Sequence, residues 1–246
     1  MDIITSRDNA GVKYACTLRD SEKQRAAEGL FFAEGPKLCL ELAKSCTPRT
    51  VYATAAALAK TPGLATLAPA EIAPHVAEKL SGTKSNQGVF ALFETPVPPA
   101  DTLHTARRIL MLEGVQDPGN VGTLLRSAAA FGFDAVVLGP GCASPLSPKT
   151  LRSSMGAAGR LPTLHSADLP AALAQLRSRG VTTLAAALYR SRPLDEAGND
   201  FPHGVCVVIG SEGQGLTQQT VEAYDRVESL NAAVAGSVLL WHFRGV

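Results

Sequence analysis

Ile109-Leu110-Met111-Leu112, followed by Pro118-Gly119-Asn120-Val121-Gly122-Thr123-Leu124-Leu125-Arg126, is the stretch of sequence that decides the fold. Four apolar residues in a row fit a strand buried on both faces. The period then changes: Val121 to Phe131 reads as a helix, with Asn120 placed to cap it and Gly132 to end it. A buried strand feeding a helix through a short polar loop is the building unit of parallel sheets. The unit recurs downstream. Ala135 to Leu138, Val181 to Ala186 and Val205 to Ile209 read as strands. Helices are predicted near Pro148 to Ser154, over Leu169 to Arg179 and over Ala232 to Phe243. The C-terminal half is therefore predicted to be α/β, with a mostly parallel sheet covered on both faces.

Upstream, Glu94-Thr95-Pro96-Val97-Pro98-Pro99 interrupts the pattern. Prolines this dense continue neither a helix nor a central strand and favour a stiff, extended connection. The predicted organisation is a first domain over 1–95, a Pro-rich linker over 96–105 and a second domain over 106–246. The first domain alternates helix and strand. A polar helix runs from about Asn9 to Glu28, then come the strand Leu30 to Glu34 and a helix over Lys37 to Lys44 with Pro36 at its start. Val51 to Ala53 reads as strand, Ala70 to Leu80 as helix and Gly88 to Phe93 as a buried strand, while the alanine-rich tract from Ala53 to Ala70 carries little information.

A chain of 246 residues with 46% hydrophobic content has ample material for two cores. Its net charge of +1 means that nucleic-acid binding has to come from local patches and not from bulk charge. Five scattered cysteines without a C-x-x-C pair argue for reduced thiols and a cytoplasmic protein. No His/Cys spacing suggests a metal site, no leader is read at the N-terminus, and no apolar run is long enough to span a bilayer.

Chemistry concentrates in polar islands at strand-to-helix junctions, where α/β sheets build ligand sites. Gly210-Ser211-Glu212-Gly213-Gln214-Gly215 follows a strand, but its spacing is the reverse of a dinucleotide fingerprint, and no P-loop is present. What remains is a glycine loop that lets a flat ligand approach the backbone, with Glu212 at its tip; a plain turn with a solvated carboxylate is the competing reading. Arg126, one turn beyond Gly122, lies near a helix N-terminus that favours anions; an ordinary exposed helical arginine competes. Ser229-Leu230-Asn231 precedes the last helix, where helix capping is the simpler reading. Lys149 and Arg152, three apart beside Ser154-Met155-Gly156-Ala157, fit phosphate contacts or a solvated face equally.

In order, Asn-x-Gly-x-x-x-Arg, Ser-x-Gly-Ala, Gly-Ser-Glu-Gly-x-Gly-Leu and Ser-Leu-Asn closely resemble the SpoU/TrmH family of the SPOUT superfamily, S-adenosylmethionine-dependent RNA 2′-O-ribose methyltransferases. The resemblance runs from about Ile109 to the end. A second, Ile4-Thr5-Ser6 to Asn9 and Val12-Lys13 with Phe32, Glu34 and Gly35, looks like the substrate-binding domain of the ribosomal-RNA branch, similar to the L30e/L7Ae fold. The first resemblance implies a deep trefoil knot, an exception to the rule against threaded chains, and a homodimer. It implies catalytic roles for Arg126, Asn120, Glu212, Ser229 and Asn231, and S-adenosylmethionine held by Gly210, Ser211, Gly213, Leu230, Leu138 and Gly139. RNA, expected to be large-subunit rRNA with transfer RNA as the alternative, would meet Lys149, Arg152, Ser154, Lys13 and Arg25. No metal is expected.

One departure opens a second reading. The family's Ile-Pro-Met-like strand before the Ser-Leu-Asn motif has no counterpart. After a helix over Leu216 to Ala223 only Tyr224 to Glu228 remain, enough to cross about 17 Å at full extension and leaving little for a sheet strand. A non-catalytic RNA-binding relative therefore stands beside the active enzyme, with a dinucleotide oxidoreductase a distant third.

Overall fold

The structure is a computed structural model that describes residues 3–83, 85–186, 201–211, 213–221, 225–227 and 232–245. The chain groups into two compact units, residues 1–96 with 146–160 and residues 97–145 with 161–246.

In the first unit the predicted long N-terminal helix is two helices, α1 (Ala10–Asp20) and α2 (Glu22–Glu28). The break is Ser21, whose backbone is extended (φ −118°, ψ 113°) and whose hydroxyl accepts the Gln24 N–H at 3.2 Å. A serine that can cap a second helix competes with continuing the first. Then follow β1 (Leu30–Glu34), α3 (Pro36–Leu42), β2 (Pro48–Ala53), α4 (Ala55–Lys60), a 3₁₀ turn (Pro62–Leu67), β3 (Ala70–Glu71), α5 (Pro74–Leu80) and β4 (Val89–Glu94). The alanine-rich tract thus folds into α4 and the 3₁₀ turn. The predicted helix over Ala70 to Leu80 starts only at Pro74, whose missing N–H suits a first helical position, and Ala70-Glu71 pair in parallel with Tyr52-Ala53. The sheet order is β1-β4-β2-β3, with β4 antiparallel to both neighbours. Phe31 and Phe93 stack at 5.6 Å between centroids, Phe32 and Phe90 at 6.1 Å, and all four rings are buried.

The second unit begins with α6 (Thr102–Thr105), β5 (Arg108–Leu112), α7 (Pro118–Ala130) and β6 (Ala135–Leu138). The helix α8 (Pro148–Ser154) and a 3₁₀ turn (Ala157–Gly159) come next in sequence but group with the first unit. The second unit resumes with β7 (Thr163–His165), α9 (Leu169–Ser178), β8 (Thr182–Ala186), β9 (Val205–Ile209), α10 (Gln218–Val221), β10 (Asp225–Val227) and α11 (Ala232–His242). All pairings in its sheet, ordered β10-β8-β9-β5-β6-β7, are parallel. On one face Ile109, Met111, Val137 and Val208 pack with Leu169, Leu173 and Leu176 of α9. Elsewhere α7 meets α11 closely: a Cβ on Gly236 would lie 2.3 Å from Leu124 Cδ2, and Ser127 Oγ lies 2.9 Å from Ser237 Oγ.

Three local expectations need correction. Helix α7 starts at Pro118, and its cap is Asp117, whose carboxylate accepts the Asn120 N–H at 3.0 Å; Asn120 is a first-turn residue. Strand β7 goes unmarked in the sequence because three residues, Thr163-Leu164-His165, are too few to show a period. The short approach to Ser229 does form a sheet strand, since Asp225, Arg226 and Val227 pair with Leu184, Ala185 and Ala186. Among the described residues no helix is long and apolar enough to cross a membrane.

Candidate active site

The strand order of the second unit fixes where a ligand can sit. From β5 the chain runs outward to β6 and β7, then crosses back to β8 and β9 on the other side. The carboxyl ends of β5 and β9 therefore flank a topological switch point, where the loops diverge and leave a crevice. A cleft of about 680 Å³ opens there, lined among others by Glu113, Gly114, Gln116, Ser211, Gln214 and Thr217.

Backbone bonds build its floor. Glu113 N–H donates to Ile209 O at 2.9 Å, Gly114 N–H to Pro140 O at 3.0 Å and Gly139 N–H to Leu112 O at 2.8 Å. The glycine loop closes on itself, with Ser211 and Gly215 exchanging two backbone bonds of 3.0 Å. A side chain on Gly210 would put its Cβ 2.4 Å from the Gly215 carbonyl carbon, so only glycine permits this closure. Ser211 Oγ accepts the Gln214 N–H at 3.1 Å, which fixes the hydroxyl at the cleft wall.

Glu113 is a site residue that the sequence motifs do not include. It is buried, and its carboxylate accepts the Thr217 N–H at 2.9 Å, Thr217 Oγ1 at 3.0 Å and Thr220 Oγ1 at 2.9 Å. One carboxylate at the end of β5 thereby anchors the chain immediately after the glycine loop. Its signal in the sequence is a carboxylate between a strand end and a glycine, the same pattern that singles out Glu212.

Of the residues expected to hold the cofactor, Ser211 lines the cleft and Gly210 shapes the loop behind it. Gly213 stands open: apart from its chain neighbours, no described residue has an atom within 4 Å of where a Cβ would sit. Leu138 is buried, and its carbonyl accepts the Ser166 N–H at 3.0 Å, so its side chain belongs to the core. Gly139 is kept by packing, because a Cβ there would lie 2.3 Å from Leu169 Cδ1. Glu212, Ser229, Leu230 and Asn231 lie outside the described residues.

Arg126 is exposed on α7, in line with the exposed Thr123 and Ala130, whereas Gly122 is buried. The expected face of 122, 126 and 129 is thus turned by about one residue, as the more N-terminal helix start requires. Arg126 makes no hydrogen bond or ion pair with another described residue, leaving an exposed guanidinium two turns from a helix N-terminus. Asn120 is half-buried one and a half turns before it.

The expected RNA contacts divide. Lys149 is exposed and Arg152 half-buried on α8. Lys13 is exposed and pairs with Asp8 at 2.8 Å. Two assignments are corrected. Arg25 is only 7% exposed, and its Nη1 donates to Leu18 O at 2.8 Å and Arg19 O at 3.0 Å. Ser154 is 1% exposed and donates to Leu151 O at 3.1 Å. Both side chains are buried and bond to backbone carbonyls of their own unit. Burial pushes the thiols of Cys39, Cys142 and Cys206 upward.

Comparison with known proteins fits this geometry. Residues 107–241 match the family model described as the SpoU rRNA methylase family, and residues 9–91 match that of the MRM3-like substrate-binding domain. The chain is 38% identical to the 23S rRNA (guanosine(2553)-2′-O)-methyltransferase RlmP of Bacillus subtilis, over 60% of this chain and 62% of that protein. It is 34% identical to an uncharacterized tRNA/rRNA methyltransferase of Synechocystis, over 98% of this chain and 93% of the relative. An AdoMet-bound rRNA methyltransferase from Sinorhizobium meliloti shares the fold at a TM-score of 0.84, with 24% identity over 99% of this chain and 97% of that one.

Proposed function

The chain belongs to the SpoU rRNA methylase family, whose members draw a methyl group from S-adenosylmethionine, and from that premise we propose that it methylates a ribose 2′-hydroxyl of large-subunit ribosomal RNA. The observation that carries this reading is the switch-point cleft with its glycine-only loop at Gly210, facing the end of the strand that leads into the Arg126 helix. The nature of the named Bacillus relative supports the choice of rRNA, with transfer RNA as the alternative.

The cleft suits the cofactor. About 680 Å³ falls within the range of ligand pockets, about 300–1,000 Å³. Gly114, Gly141 and Gly215 leave backbone exposed to a flat ring, and Ser211, Gln116 and Gln214 supply polar partners. When bound, the cofactor supplies a methyl group made electrophilic by the sulfonium charge. The protein's part is alignment and handling of the hydroxyl proton. Arg126 grips the phosphate beside the target ribose through its planar, forked guanidinium and orients the hydroxyl. Removal of the hydroxyl proton is assisted by that phosphate. Asn120, Glu212, Ser229 and Asn231 hold Arg126 and the ribose in register, while Gly210, Ser211, Gly213 and Leu230, with the backbone at Leu138 and Gly139, form the cofactor wall. Lys13, Lys149 and Arg152 meet the RNA.

The remaining parts of the reading are an active site completed near the interface of a homodimer, a deep trefoil knot in the second unit, an L30e-like first domain over 1–95 joined through 96–105, and action in the cytoplasm. Strand β10 supplies a sheet edge where the Ile-Pro-Met-like segment was missed, which favours the active enzyme over the non-catalytic relative. The test is to map 2′-O-methyl groups on ribosomal and transfer RNA with and without the gene, alongside calorimetry with S-adenosylmethionine. A lost methyl in large-subunit rRNA supports the proposal. Unchanged rRNA, or no cofactor binding at millimolar ligand, overturns it.

A further inference from the structure

The first unit contains a second cleft, of about 380 Å³, lined by Glu34 and Lys37, by the turn bearing Thr83, Ser85 and Gln87, and by Arg152 and Met155 from α8 and its end. Three features set its chemistry. The carboxylate of Glu34 is already satisfied, since it accepts Ser81 Oγ at 2.7 Å, Thr83 Oγ1 at 2.8 Å and the Gly82 N–H at 3.0 Å. No ion pair joins it to Arg152 among the described residues.

The guanidinium of Arg152 is the second feature. Its Nη1 is buried without a hydrogen-bond partner among the described residues, which is costly for a charged donor, while the side chain as a whole is half-buried and lines the cleft. Lys37, exposed in the first turn of α3, adds a second cation to the same cleft.

The third feature is Met155. It holds a left-handed backbone (φ 51°) at the end of α8 and leaves 48% of its surface exposed. Both are unfavourable for a methionine, and together they keep a soft, polarizable side chain at the cleft wall.

We propose that this cleft holds one unstacked nucleotide of the RNA, with phosphate on Arg152 and Lys37 and the base between Met155 and the Gln87 amide. A planar, forked guanidinium is the group suited to a phosphate. RNA is read chiefly where bases splay out of the helix. The volume lies near the small end of the ligand-pocket range, about 300 Å³, and so admits a nucleotide and not a duplex. The inference rests on RNA being the substrate.

The test uses the full chain and a short, labelled, mixed-sequence single-stranded RNA, followed by fluorescence anisotropy across a salt series. R152A is expected to weaken binding about tenfold and to flatten the slope of log affinity against log salt by about 0.7, one phosphate contact. R152K keeps the charge but not the fork and falls between. K37A, at an exposed position that folding does not need, flattens the slope alike; it decides the matter if R152A does not fold. Wild-type affinity and slope in the folded variants overturn the subsite. Calorimetry with S-adenosylmethionine on the same samples separates the two readings: a wild type that binds cofactor and methylates rRNA while R152A and K37A behave normally sinks the subsite alone, and a wild type that binds neither sinks the proposed activity.

Discussion

The two clefts treat a buried charge in opposite ways. In the parallel-sheet unit the carboxylate of Glu113 is saturated by three donors from one short segment, Thr217 to Thr220. In the mixed-sheet unit Arg152 keeps one amino group buried without a partner among the described residues. A saturated charge makes a rigid wall, because each bond removes freedom from the segment it holds. A buried donor without a partner is instead a cost that the surrounding packing has to absorb. On the function proposed, the difference separates the anchored wall of a cofactor cleft from a cleft for RNA.

The largest effect that probes this contrast is expected at Arg126. R126A should lower the turnover of methyl transfer by about a hundredfold or more, as misplacement of a reacting group does. Cofactor affinity should stay near wild type by calorimetry, since Arg126 projects from α7 into solvent. Wild-type turnover in a filter assay with labelled methyl donor would remove Arg126 from the site. Next in size is G210A, whose Cβ would collide with the Gly215 backbone. Forcing an extra carbon into such packing costs about 1–3 kcal/mol, and the strain should fall on the loop as cofactor affinity about tenfold weaker or worse. Unchanged affinity would show that the loop does not wall the cofactor.

E113A probes the saturated side directly. It leaves the Thr217 N–H and two hydroxyls without their acceptor, a loss of about 2 kcal/mol for a buried group, to be read as a lower midpoint in urea. E113Q retains one acceptor oxygen and should recover part of both stability and KM for the methyl donor, with kcat little changed. Equal damage from both variants would mean that charge, and not the anchoring bonds, is what Glu113 contributes.

How much of this was legible in the sequence depends on burial. Strands β5, β6 and β9 are covered on both faces and read as unbroken apolar runs, so the strands and their parallel sheet could be anticipated, while their order could not. Strands β3, β7 and β10, with two or three residues each, have no period to read and exist through their neighbours. The islands at Gly210 and Arg126 were visible because glycine and arginine are conspicuous at strand and helix ends. Glu113 carries the same carboxylate-and-glycine pattern as Glu212, but its anchoring role was not legible, because it comes from Thr217 and Thr220, more than a hundred residues away. The grouping of 146–160 with the first unit is likewise a matter of long-range packing, such as the thiol of Cys46 donating to Gly159 O at 3.3 Å.

Arg25 offers the smallest effect and the sharpest distinction between a cation for RNA and a cation for the fold. The carbonyls it meets, Leu18 and Arg19, belong to the last turn of α1, where helix geometry leaves acceptors without partners and the dipole favours positive charge. Arg19 does the same for α5, donating through Nη1 to the carbonyls of Lys79, Leu80 and Ser81 at 2.8–3.0 Å. Two arginines thus close two helix ends with one device, and a sequence scan for basic residues cannot tell them from RNA contacts. R25A should lower stability by about 1–2 kcal/mol with the salt slope of RNA binding intact, whereas R152A should flatten that slope with little change in melting. If R25A instead weakened RNA binding about tenfold at an unaltered melting temperature, its guanidinium would have to leave the α1 carbonyls to reach the ligand, and the division between structural and receptive cations in this unit would fail.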